Sequence, residues 1–286
     1  MKIQIGKQLR IGLLAAMTVS ASLGLAPLQI AQATAPLVKT SAPGYYRMML
    51  GDFEVTALSD GTADLPMDKL LTNTTPAKVN MALARSFLKA PVETSVNSYL
   101  VNTGSKLVLI DIGAAKLFGP TLSNLLANLK AAGYQPEQID EIYITHMHAD
   151  HVSGLMDGDK MAFPNATVRA DKRDVDYWLS QTNLDKAAPV AMYGHTAYLV
   201  ESKGQKLLLW GDLVHAAAVQ FDDPSVTIKF DGDARSAALQ RKRAFADAAR
   251  NGYLVGSSHI SFPGIGHVRA NGKGYAWVPV NYAVVR

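Results

Sequence analysis

The run His146-Met147-His148-Ala149-Asp150-His151 constrains this chain of 286 residues more than any other feature in it. It follows directly on the β-rich stretch 141–145, which places it at the carboxyl end of a strand and the start of a helix, where functional sites commonly sit. An extended segment turns residues two apart to the same side, so His146 and His148 can grip one ion together. As the chain bends into the helix, Asp150 and His151 swing toward a second ion beside the first. Imidazole nitrogen and carboxylate oxygen suit zinc, with manganese, iron or cobalt as alternatives. The chain contains no cysteine, so thiolate ligands, thiol nucleophiles and disulfides are all excluded.

The first ten residues carry Lys2, Lys7 and Arg10 without an acid, and an apolar stretch over 11–25 and then Ala31-Gln32-Ala33 follow. This is the three-part layout of a secretory signal peptide and predicts cleavage near Ala33. Thr18, Ser20 and Ser22 interrupt the apolar stretch, which falls short of the roughly 20 residues a spanning helix needs. No membrane attachment is therefore expected after cleavage. The net charge of +4 drops to +1 once the three cations of that segment are removed. The densest basic group, Arg241-Lys242-Arg243, shares a helical stretch with Asp247 and reads as a solvated face, so nucleic-acid binding is not expected. A soluble periplasmic or secreted product follows, and a homodimer is compatible with it.

The reading divides the chain into a signal at 1–33, an Ala-, Pro- and Ser-rich linker at 34–44 and one domain at 45–286. Strands are predicted over 53–58, 97–101 and 106–110, the last two forming a hairpin at Asn102-Thr103-Gly104. A helix over 122–132 closes at Gly133, and a strand at 166–170 precedes a helix at 174–180. A second hairpin joins 198–200 to 206–210, a long amphipathic helix covers 235–249, and strands follow at 253–256 and 275–280. Strands and helices alternate in both halves, giving an α/β fold whose simplest layering is two mixed sheets face to face with helices outside.

His-x-His-x-Asp-His at a strand end is the signature of the metallo-β-lactamase superfamily, and the resemblance extends beyond that motif. Asp111-Ile112-Gly113 resembles the family's Asp-Thr-Gly turn, Trp210-Gly211-Asp212 its Gly-Asp element, and Gly256-Ser257-Ser258-His259 the late strand that supplies the last histidine. The segments 259–267 and 278–282 are similar to the branch containing methyl parathion hydrolase and related lactonases. The resemblance implies an αββα sandwich with one or two metals at the sheet edge: His146 and His148 on the first, Asp150, His151 and His259 on the second, and Asp212 between them. It further implies hydrolysis by metal-bound hydroxide, with Asp150 and Asp212 orienting the nucleophile and assisting proton transfer. Lactones or aryl esters are the implied substrates, with phosphotriesters beside them. Trp178, His215, Ile228 and Phe230 are the implied pocket residues, although for Trp178, Ile228 and Phe230 ordinary core packing is an equal reading. The set Leu71, His215, Ile228 and Phe230 is similar to the lactonase members. His267 reads as structural or surface.

One departure bears on activity. The family carries Gly-His-Thr-Pro-Gly-His before the hairpin strand, whereas this chain has Ala191-Met192-Tyr193-Gly194-His195-Thr196, with Ala191 at the ligand position. The segment is also short, as though a stretch near 185–193 were deleted. Two further readings follow: a truncated homologue with an impaired first metal site, and a non-catalytic metal- or ligand-binding protein.

Overall fold

The computed structural model describes residue 35, residues 37–185 and residues 194–285. The expected signal and most of the expected linker lie outside these, as do Ala191 and most of the shortened segment. The chain divides into two compact units at Thr40, and residues 41–286 form the second. Of the first unit, the described residues 35 and 37–40 adopt no helix or strand. No helix among the described residues is long and apolar enough to cross a membrane.

In the second unit, β1 (Tyr45–Leu50), β2 (Phe53–Leu65), α1 (Pro76–Arg85), β3 (Val92–Asn102) and β4 (Leu107–Ile110) lead to α2 (Leu125–Ala131). Next come β5 (Glu141–Tyr143), the short α3 (Ala149–Val152), β6 (Thr167–Arg169) and α4 (Lys172–Trp178). The second half contains β7 (Tyr198–Ser202), β8 (Gln205–Leu209), α5 (Ala217–Gln220), α6 (Ala234–Asn251), β9 (Leu254–Gly256), β10 (Ile265–Asn271) and β11 (Gly274–Pro279). Strands β1 to β6 form a six-stranded sheet in sequence order, and β7 to β11 form a five-stranded one, also in order. Parallel pairing joins β4 to β5, β5 to β6 and β8 to β9, and both sheets are therefore mixed.

Period-two alternation explains the layers. Tyr99 and Val101 of β3 face inward with Val55, Ala57 and Ile110, and meet Leu207, Leu209 and Ile265 of the other sheet. Leu100 and Leu109 point the opposite way, into a cluster with Leu125 and Leu129 of α2. On the far side, Val255 and Val268 pack beneath Phe245 and Ala248 of α6. The result is the expected αββα sandwich.

Several elements differ from the sequence-based expectation. Strand β2 runs on to Leu65 through a bulge at Ser59/Gly61. The extra residue, Asp60, is buried, and its carboxylate accepts from the Ala114 and Leu125 N–H groups at 2.9 and 3.1 Å. Bulges commonly re-aim a side chain in this way. Helix α1 went unpredicted although Thr75 caps it by accepting from Lys78 N–H, with Pro76 in the first turn. The basic triplet is not a solvated face throughout, because Arg241 is 1% exposed while Lys242 and Arg243 are exposed. Its guanidinium donates to the Leu213 and Val226 carbonyls at 2.6 and 2.7 Å, anchoring α6 to the loop that follows β8.

Strand β5 is tied to its neighbours by charge. Glu141 accepts from Arg169 Nε and Tyr143 Oη at 2.8 Å each and pairs with Lys106. The Arg169 and Lys106 partners pull its carboxyl from 4.5 down to about 2. A depressed folded-state value means that this stabilisation is complete above pH 4.5 and is lost as pH falls toward 2. The melting-temperature gap between the native protein and Glu141→Gln should therefore be widest at neutral pH and close across that acid window. A gap independent of pH would refute the linkage.

Candidate metal centre

The ligand-type residues lie in loops at the ends of strands from both sheets. His146 and His148 follow β5, Asp150 and His151 open α3, Asp212 sits in the turn after β8, and His259 lies beyond β9. Asp212 is the meeting point. Its Oδ1 lies 3.0 Å from His151 Nε2 and 2.9 Å from His259 Nε2, and its Oδ2 lies 3.3 Å from His146 Nε2. Asp150 Oδ2 stands 3.5 Å from His151 Nε2 and 3.4 Å from His259 Nε2. Donor atoms of His146, His151 and Asp212 lie within 4.8 Å of one another, as do those of Asp150, His151 and His259. His148 belongs to neither trio, but its ring centroid is 4.5 Å from that of His146.

The far nitrogen of three imidazoles is fixed from behind. His151 Nδ1 donates to Asp111 Oδ2 at 2.8 Å, and His259 Nδ1 donates to the Ser95 carbonyl at 2.9 Å. Thr145 Oγ1 donates to Asp111 Oδ2 at 2.8 Å and stands 3.1 Å from His146 Nδ1, placed to accept from it. Asp111 performs this double task at φ +56, a left-handed conformation that aspartate tolerates better than most residues. Each Nε2 is thereby left as a lone pair aimed at the centre, the arrangement that orients metal-binding histidines.

The donor set fits a divalent cation. Nε2 of His146, His148 and His151 and Oδ1 of Asp212 are buried without a hydrogen-bond partner among the described residues. Such atoms are costly to leave unpaired. Burial alone would push the Asp212 carboxyl up, but His151 and His259 outweigh it and hold it well below the usual carboxylate range. Burial pulls His259 down, yet Asp212 and Asp150 push it up to about 9. Burial and the adjacent His146 depress His148 to about 4, leaving that imidazole neutral. Histidine, aspartate and no thiolate is a donor set for zinc or a similar first-row ion.

His195 is not turned toward these donors. Its Nε2 accepts from the Asp212 backbone N–H at 3.1 Å. Gly211 permits that approach: its φ is +54, and a Cβ there would lie 2.7 Å from His195 Nε2. Among the implied pocket residues, Trp178, His215 and Phe230 line a cavity of about 900 Å³ that reaches His148, Asp150, Asp212 and His259. Ile228 and Leu71 do not: they pair with each other in a short ladder and are buried in a separate apolar cluster. His267 lies on β10 with Nδ1 3.3 Å from the Tyr253 carbonyl, away from the site.

Sequence reasoning missed Asp174, a fully buried residue that accepts from the Met147 N–H at 2.9 Å and the Gly194 N–H at 2.7 Å. It thus pins the His146–His148 loop to the segment entering β7. A buried carboxylate in a helix marked by Asp171 and Asp176 as solvent-facing carries no distinguishing signal in one sequence.

An αββα sandwich with this donor set at its edge defines a metallohydrolase-type fold and centre, and the comparisons agree. The profile of the metallo-beta-lactamase superfamily matches residues 91–175. The solved structure of the hydrolase AbOPH, of the beta lactamase superfamily, is 34% identical with a TM-score of 0.79, over 86% of this chain and 100% of that one. The chain belongs to the metallo-beta-lactamase superfamily. AidC, a dizinc quorum-quenching lactonase, shares the fold at 23% identity and a TM-score of 0.76, over 84% of this chain and 99% of that one. Curated relatives match over shorter stretches. The exodeoxyribonuclease WalJ of Streptococcus pneumoniae is 39% identical over 62 residues, 22% of this chain and 21% of WalJ. A beta-lactamase-like protein 2 homolog of Caenorhabditis elegans is 31% identical over 115 residues, 38% of this chain and 36% of that protein.

Removing the carboxylate charge behind His151 and Thr145 tests the orienting role directly. Asp111→Asn should weaken zinc binding by about 10–100-fold in a chelator competition, with the fold retained by circular dichroism. Unchanged affinity in a folded variant would show that Asp111 does not orient the ligands.

Proposed function

We propose that the protein is an exported metal-dependent hydrolase acting on lactones or aryl esters, with phosphotriesters as a secondary class. The observation that carries this reading is the cavity of about 900 Å³ whose floor is His148, Asp150, Asp212 and His259 and whose walls include Val96, Phe118, Leu122, Trp178 and Phe230. A concave, mainly apolar space with a few convergent polar groups suits a small, largely apolar substrate. A divalent ion bound by His146, His148, Asp150, His151, Asp212 and His259 would supply an activated water at neutral pH and a Lewis acid for the electrophile's oxygen.

The chain's own residues account for the remaining requirements. Asp150, partly exposed to the cavity, and Asp212 orient the attacking water and take up its proton as the tetrahedral centre forms. Phe230 and Trp178 flank the leaving group and exclude water.

A second reading, the homologue with an impaired first site, draws support from His195. Its Nε2 is engaged by the Asp212 N–H, and it therefore does not replace the imidazole that Ala191 fails to provide.

The two readings separate in one series of assays. The purified chain should hydrolyse a chromogenic aryl ester and an aryl lactone, lose activity to a chelator and recover it with zinc. Asp212→Asn should lower kcat/KM on the order of 10²–10⁴-fold. No turnover of esters, lactones or phosphotriesters by the zinc-loaded chain, with turnover appearing in Ala191→His, would establish the impaired homologue instead.

A further inference from the structure

Four imidazoles, not three, converge on Asp212. His151 and His259 face its Oδ1, and His146 faces its Oδ2. The fourth is His215, whose Nε2 stands 3.2 Å from Oδ2. Donor atoms of Asp212, His215 and His259 lie within 4.8 Å of one another, as close a grouping as either trio described above.

His215 is also held in place as a ligand would be. It is 4% exposed, and its ring stacks on that of His259 at a centroid distance of 5.0 Å and an angle of 20°. The backbone N–H groups of His215 and Ala216 both donate to Gln220 Oε1, at 2.8 and 3.0 Å. Gln220, fully buried, is fixed in turn by donating to the Val226 carbonyl at 3.1 Å. A buried glutamine devoted to two successive backbone amides sets the position of the imidazole before anything binds. Nδ1 of His215 is buried without a hydrogen-bond partner among the described residues, unlike Nδ1 of His146, His151 or His259. Nε2 is the nitrogen that faces the Asp212 carboxylate, an acceptor, so a bound cation would take the place of the Nε2 proton.

We infer that His215 is a metal ligand in this chain, sharing an ion with Asp212 and His259. It adds an imidazole to those of His146, His151 and His259 around Asp212, while His195 is turned to the Asp212 backbone. The inference rests on the metal-binding part of the proposed function and not on any hydrolytic activity.

The alternative is that His215 Nε2–H only donates a hydrogen bond to Asp212. Glutamine keeps a donor of similar reach but is a poor ligand, so His215→Gln separates the two roles. Cobalt(II) is titrated into the full chain, and bound metal is read from the visible absorption bands and from elemental analysis after gel filtration. The expected result is that His215→Gln loses one ion or binds it about tenfold or more weakly, with altered absorption bands, while His195→Gln keeps the native stoichiometry. Metal content and spectrum unchanged in His215→Gln would overturn the inference, as would a native chain that binds no metal. Should His215→Gln fail to fold, the histidine ¹⁵N resonances of the native chain decide: a coordination shift at His215 on adding zinc supports the assignment, and none overturns it. Metal bound through His215 with no ester, lactone or phosphotriester hydrolysis would sustain this inference and remove the proposed activity.

Discussion

The site depends on burying two carboxylates, Asp212 and Asp111, among imidazoles. An isolated buried carboxylate is costly unless it is paired and hydrogen-bonded. Asp111 meets that condition through three contacts, from the Thr145 N–H, the Thr145 hydroxyl and the His151 ring, and Asp212 through the Nε2 atoms gathered around it. The same pairing that makes the carboxylates tolerable orients the imidazoles. Against the downward pull of burial, the same carboxylates push the His151 and His259 imidazoles up, the mark of a pocket that favours positive charge at its centre.

That requirement dictates where the donor groups come from. Strands β5, β8 and β9 end at the same edge of the sandwich, two of them in the second sheet and one in the first. A parallel step between β4 and β5 and another between β8 and β9 bring carboxyl ends side by side, which a purely antiparallel sheet would not do. The supports then come from afar. Arg241 reaches from α6 to the Leu213 carbonyl next to Asp212, Asp174 from α4 to the amide between His146 and His148, and Ser95 from β3 to His259. Each fixes backbone or ring orientation within one residue of a ligand.

Legibility in the sequence follows from this division. His146, His148, Asp150 and His151 form a local run whose spacing alone shows they can meet, and Asp212 and His259 follow from their places in recognisable strand-end segments. Two sheets with helices outside follow from the alternation of strands and helices, and the αββα sandwich from the family resemblance. Asp60, Asp174 and Arg241 are different: their partners are 15 to 65 residues away, and nothing in their local sequence sets them apart from surface polar residues. His215 was legible as a residue near Asp212 but not as a group facing it, because the direction depends on the Gln220 contacts to its backbone. Ile228 was misplaced for the opposite reason. Its neighbour in sequence, Phe230, does reach the cavity, while Ile228 turns to the other side and pairs with Leu71.

The buried donor groups and the cavity walls also differ in how firmly they are held. His146, His151, Asp212 and His259 are at most 7% exposed and are braced by hydrogen bonds from several elements. The walls include Phe118, Leu179 and Phe230, which are 54%, 68% and 40% exposed and come from loops and from the end of α4. Large apolar side chains left this open contribute little to the core, so they can be exchanged at small cost in stability. The buried centre cannot be altered so cheaply, because each group there answers the charge or lone pair of another. The buried strand-end groups are therefore the constrained part of the site, and the exposed walls are the part free to vary.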